Sequence, residues 1–155
     1  MSTTENVSQT HPNSWDKSYL LDIDMIDKQH IMFFKIFDRL LELNNQEDVQ
    51  NEILEVITEL DKYTHNHFAT EEALMRNANA SEFESHVTQH KVFISKIEDF
   101  KIAYQYKNTV LLEQMISFMR KWFLIHISEI DRKYVEPVKK YLIERESKKN
   151  SAEEK

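Results

Sequence analysis

Glycine is absent from all 155 residues of the chain, and the only prolines are Pro12 and Pro137. These two residue types cost a helix interior more than any others, so the stretch from Ser14 to Glu136 contains neither of the usual helix breakers. A chain with no glycine also has few cheap ways to make the tight turns of a β-protein. The sequence therefore predicts an all-α fold, and the length suits one domain with a single core. Hydrophobic residues make up 41% and charged residues 30%, the balance of an ordinary globule rather than of a disordered chain.

Apolar residues fall in four stripes at helical spacing. The first runs Ile26, His30, Phe33, Phe37, Leu40 and fades at Asn44-Asn45-Gln46. Asn45 is then placed to cap a second helix with Glu47 and Asp48 in its first turn and a stripe of Ile53, Val56, Ile57, Leu60, Tyr63, His67, Glu71 and Leu74. After Asn77-Ala78-Asn79-Ala80, Ser81 with Glu84 has the spacing of a capping box. The third stripe follows from Phe83 through His86, His90, Phe93, Ile97 and Phe100 to Tyr104. Lys107-Asn108-Thr109 separates it from the fourth: Leu111, Met115, Met119, Trp122, His126 and Ile130. Four amphipathic helices with short connections predict an up-down-up-down bundle. An extended N-terminal segment would lead into it from Trp15, and a short helix around Pro137 to Ile143 would follow it. The expected organisation is a flexible leader over 1–14, one domain over 15–143 and a charged, flexible tail over 144–155.

With 27 acidic against 20 basic residues the formal net charge is −7, which opposes binding to nucleic acid or to anionic lipid. Cysteine is absent, so disulfides and thiolate metal sites are excluded, and any metal must be held by nitrogen and oxygen. No apolar run is long enough to span a bilayer, and the first residues have no signal-peptide core. The expectation is a soluble cytoplasmic protein with no nucleic-acid or membrane partner.

Five of the seven histidines, His30, His67, His86, His90 and His126, lie on the inward stripes. His67 and Glu71 are four apart and share a helix face, as do His86 and His90. His126 and Asp131 are five apart, roughly 140° out of line on a regular helix, which predicts a π-like bulge between them. One buried histidine is more often a hydrogen-bonded core residue than a ligand. Five imidazoles and two carboxylates on the core faces of four helices reverse that balance, because each buried polar group needs a partner. A structural zinc ion takes about four ligands, so seven converging residues suit two metals sharing carboxylate bridges. Imidazole with carboxylate is compatible with iron, zinc or manganese.

The segments Ile26-Asp-Lys-Gln-His30, His67-Phe-Ala-Thr-Glu71-Glu72, His86-Val-Thr-Gln-His90 and Trp122-Phe-Leu-Ile-His126-Ile-Ser-Glu-Ile-Asp131 resemble, in order and spacing, the hemerythrins, and bacterial hemerythrins above all. The resemblance runs from about Trp15 to Tyr134. It implies two Fe ions per chain, one held by His86, His90 and His126 and the other by His30 and His67. Glu71 and Asp131 would bridge them beside an oxo or hydroxo group, leaving the two-histidine iron an open position for O₂. The chain departs from that family's pattern where glycine is usual and Asp22 stands, which predicts an altered entry of the N-terminal segment. It departs again where leucine is usual after the tryptophan and Phe123 stands, which predicts a changed pocket.

His65, two residues from His67, is expected to point away from the cluster, and His11 to be solvated in the leader. Asp27 is expected to be an acidic first-turn residue rather than a partner of His30. Trp15, Phe33, Phe34, Trp122, Phe123 and Ile127 are candidates for a dry wall around the site. The resemblance implies reversible O₂ binding for transport, storage, delivery or buffering. The alternatives are a di-iron enzyme (oxidase, peroxidase or iron-repair factor) and a sensor acting through a partner. Against a ferroxidase stands the lack of any Glu-x-x-His spacing.

Overall fold

The computed structural model describes residues 11–153, so most of the expected leader, residues 1–10, lies outside the described residues, as do 154–155. Four long helices are present as the stripes predict: α1 (Asp24–Leu43), α2 (Gln50–Asn77), α3 (Phe83–Gln105) and α4 (Leu111–Ile125). α1 packs on α2 and α4, and α3 packs on α2 and α4, which closes a four-cornered bundle around one axis. Among the described residues there is no strand, and no helix is long and apolar enough to cross a membrane.

The helix starts differ from the sequence expectation. α2 begins at Gln50, after buried Val49 and with Asp48 in a left-handed conformation, so Asn45, Glu47 and Asp48 precede the helix instead of capping it. α3 begins at Phe83 without a side-chain cap, so Ser81 and Glu84 form no capping box. In both places a connection tied to the core decides the boundary. Val49 is buried in the main core, and Ala80 sits in the core below the site.

Without glycine the chain must reach left-handed backbone with other residues, and it does so at Asp22, Asp48, Asn79 and Lys107, with φ of 62°, 55°, 54° and 55°. Asn79 and Lys107 terminate α2 and α3 in the same way. The N–H of Asn79 donates to the carbonyl of Arg76 and that of Ala80 to Met75, while Lys107 donates to Tyr104 and Asn108 to Ala103. This is the glycine-type helix stop made with side-chain-bearing residues. At Asp22, where the chain turns into α1, the backbone adopts the conformation glycine would favour. Its carboxylate meets Lys139 at 2.9 Å, tying the entry segment to the C-terminal helix.

Beyond α4 the helix continues as a π turn (His126–Ile130) and a 3₁₀ turn (Asp131–Tyr134) into α5 (Val135–Glu153). Pro137 lies in the first turn of α5, just after the 3₁₀ turn. α5 is longer than the pattern around Pro137 to Ile143 suggests, and from Ile143 to Glu153 it is exposed. Two apolar clusters fill the bundle. The larger holds Phe33, Leu60, Phe68, Phe93, Met119 and Phe123, and the smaller holds Ile26, Leu74, Met75, Tyr134 and Val138. Along α1 the order is Ile26, His30, Phe33, and along α2 it is Phe68, Glu71, Leu74, so the histidine cluster lies between two dry layers.

Candidate metal centre

α1 supplies His30, α2 supplies His67 and Glu71, and α3 supplies His86 and His90, while the π turn begins at His126 and leads to Asp131. All seven are at most 2% exposed. The π turn does what the five-residue spacing demands. The Asp131 N–H donates to the His126 carbonyl, an i to i+5 bond, and the two side chains then meet at 3.0 Å.

The Nε2 atoms of all five imidazoles face the two carboxylates, and each carboxylate is divided between two groups of histidines. Glu71 turns Oε1 to His67 (2.9 Å) and His30 (3.4 Å), and Oε2 to His90 (3.1 Å) and His86 (3.4 Å). Asp131 turns Oδ2 to His30 (3.1 Å) and Oδ1 to His86 and His126 (both 3.0 Å). Two groups with metal-holding geometry result, Glu71 with His86, His90 and His126, and Glu71 with His30 and His67. Asp131 borders both.

Several inward atoms are buried and make no hydrogen bond: His30 Nε2, His90 Nε2, Glu71 Oε2 and both Asp131 oxygens. Imidazole nitrogens and carboxylate oxygens left facing one another in a dry interior form a donor set suited to cations, and six donors in two overlapping groups, with Asp131 bordering both, fit two ions. The electrostatics agree. Burial opposes charge on His30 and His86, yet the adjacent Asp131 and Glu71 carboxylates outweigh it and push both up to about 9. Burial also works against ionised Glu71, but His67, His30 and His86 hold it well below the usual carboxylate range. Asp131 is lowered too: His126 and His30 overcome both burial and the repulsion of Glu71. Burial lowers His126.

Residues that the stripes did not single out hold the rings from outside. Gln29 Oε1 meets His67 Nδ1 at 2.5 Å, Gln89 Oε1 meets His126 Nδ1 at 3.2 Å, and Glu72 Oε1 meets His90 Nδ1 at 3.0 Å. The Tyr134 hydroxyl donates to Glu71 Oε1 at 3.2 Å, and the Tyr63 hydroxyl donates to the carbonyl of Gln29. Burial, followed by the charges of Glu71 and Asp131, pushes both phenols well above their ordinary value, so they remain donors. A sequence signal existed, since Gln precedes a site histidine in both Gln29-His30 and Gln89-His90. Each glutamine nevertheless serves a histidine on another helix.

Aromatic rings line the imidazoles. Phe68 stacks on His90 at 3.9 Å and Trp122 on His126 at 4.1 Å, while Tyr63 covers His67 and Tyr134 covers His86. Phe123 stands edge-on to His30 and stacks on Phe33. Phe123 also lines an apolar cavity of about 330 Å³ together with Tyr19, Phe34, Phe37, Leu41 and Met119 among others. Phe123 thus lies against both His30 and the cavity. Phe33, Phe34 and Ile127 are buried in the same core cluster as Phe123, whereas Trp15 packs at its edge and stacks on His11. His65 is exposed and pairs with Asp61, away from the cluster. Asp27 accepts the Leu21 N–H at 2.8 Å and so anchors the entry segment.

The family model described as the hemerythrin HHE cation binding domain matches residues 21–137. A bacteriohemerythrin of Clostridium acetobutylicum is 32% identical over 126 residues, which covers 79% of this chain and 98% of that relative. A bacteriohemerythrin of Stenotrophomonas maltophilia is 30% identical over 128 residues (83% and 82%), and a myohemerythrin of Riftia pachyptila is 30% identical over 123 residues (79% and 91%).

Proposed function

The chain belongs to the hemerythrin family, and on that premise we propose that its seven inward residues hold two iron ions and that the protein binds O₂ reversibly, for transport, storage, delivery or buffering. What supports this most directly is the division of Glu71 and Asp131, each with one oxygen toward either histidine group. Under this assignment His86, His90 and His126 hold one iron, His30 and His67 hold the other, and the two carboxylates bridge them. The donor types alone admit zinc or manganese, and family membership is what favours iron. When bound, a pair of ferrous ions supplies the electrons and the open coordination position that reversible O₂ binding requires.

The chain's own residues do the rest. Gln29, Gln89 and Glu72 accept the outer N–H of three imidazoles, which presents Nε2 inward as the lone-pair donor. Tyr134 fixes one oxygen of Glu71. The aromatic shell excludes water and external acids, which protects a bound ligand from irreversible loss. A net charge of −7 accompanies this reading of a cytoplasmic protein whose ligand is a gas rather than a nucleic acid or a membrane.

Protein purified from iron-replete cells is expected to carry two irons per chain. Its reduced form should pass through several cycles of air and anaerobic buffer with full recovery of the visible absorption each time. One zinc and no iron would sink the assignment. Irreversible oxidation in the first cycle, with steady turnover once a reductant is supplied, would favour the di-iron enzyme.

Because Phe123 packs against His30 and also lines the apolar cavity, Phe123→Leu is expected to open a path between them and admit water. The reduced protein should then oxidise irreversibly in air about tenfold faster, a loss of roughly 1.4 kcal/mol of barrier. Stopped-flow mixing with O₂ followed by long-term absorbance measures this, and an unchanged rate would show that Phe123 is no barrier.

A further inference from the structure

We infer that Glu72, outside the ligand set, tunes the centre by making the three-histidine position the tighter and the more easily oxidised of the two. The inference rests on the di-iron reading. Among the described residues, three of the five imidazoles have a partner on their outer nitrogen, and these partners differ in charge. His67 and His126 meet the neutral amide oxygens of Gln29 and Gln89, whereas His90 meets a carboxylate, that of Glu72, at 3.0 Å. The Nδ1 atoms of His30 and His86 have no hydrogen-bond partner among the described residues.

Local geometry explains how adjacent residues take different roles. Glu71 and Glu72 are about 100° apart around α2. The first points into the centre, and the second points at the outer edge of a ring on α3. His90 is fully buried and covered by Phe68 at 3.9 Å, and its outer N–H meets Glu72, whose side chain is 26% exposed. A carboxylate accepting that N–H draws the proton toward itself and raises the electron density at Nε2, which an amide oxygen does much less. One extra negative charge therefore stands against the three-histidine position alone. It favours the first cation at His86, His90 and His126, and it favours the higher oxidation state there.

The test compares intact wild-type protein with Glu72→Gln and Gln29→Glu. Glutamine keeps an acceptor oxygen and removes only the charge, so a merely spacing role predicts no change. Anaerobic ferrous titrations against a competing chelator read the two binding steps, and potentiometry reads the two midpoint potentials. Glu72→Gln is expected to weaken one step by about 10- to 100-fold and leave the other in place. It should also raise one potential by about 59 mV for each tenfold loss of preference for the oxidised ion. Gln29→Glu, which sets a carboxylate against His67, should strengthen the opposite step and narrow the difference, and it keeps the inference testable should Glu72→Gln misfold. Wild-type protein holding two irons with both variants unchanged would overturn this inference alone. Wild-type protein that never takes up a second iron would overturn the di-iron reading and the inference with it.

Discussion

Glu71→Ala is expected to empty the centre, taking metal content from two per chain to none that survives desalting, an affinity loss of at least two orders of magnitude. Glu71 lies within 2.9–3.4 Å of His30, His67, His86 and His90, so its removal strips a donor from both metal positions at once. It also leaves five imidazoles to share the single carboxylate of Asp131, which cannot offset the charge of two cations. The damage reaches the fold as well. The buried Tyr134 hydroxyl loses its acceptor, an unmet donor that costs about 1–3 kcal/mol. Metal analysis and thermal unfolding of the metal-free forms separate the two effects. Asp27→Ala is the control, since Asp27 holds the Leu21 N–H and is expected to leave metal content unchanged. Full iron occupancy in Glu71→Ala would show that the bridging assignment is wrong.

Metal uptake by the metal-free protein is expected to release at least two protons per chain at pH 7.5 and to strengthen about 100-fold per pH unit, tenfold for each proton, between roughly pH 6.5 and 9. His30 and His86 are the source. Against burial, the neighbouring carboxylates push both from 6.5 up to about 9, so near neutrality each carries a proton that a metal must displace. In the metal-free fold these raised values contribute stability that is fully present below about pH 6.5 and is lost as pH climbs through about 9. In the loaded fold the imidazoles must be neutral, so alkaline conditions favour loading and acid releases the metal. A pH-sensitive dye in weakly buffered solution counts the protons. No release at pH 7.5, or an affinity flat across that window, would contradict the protonated pairs.

Much of this protein was legible in one dimension because the forces that set it are local. The lack of glycine and the period of the apolar stripes dictate helices, since burial rewards one face of a 3.6-residue repeat wherever that face packs. The pairs His67 with Glu71 and His86 with His90 follow from the same repeat. The five-residue step from His126 to Asp131 announced the π turn that brings them together. Capping was less legible. Ser81 and Glu84 have the right spacing, but an uncapped helix end costs only about 1 kcal/mol, and the connections packed around Val49 and Ala80 outweigh it. Tertiary structure alone decided what surrounds the site. Gln29 reaches from α1 to His67 on α2, Glu72 from α2 to His90 on α3, and Gln89 from α3 to His126 beyond α4. A periodic pattern states which face of a helix is inward, but not which neighbour's ring that face will meet. That depends on the rotation and height of each helix against the next, which only the packed core determines.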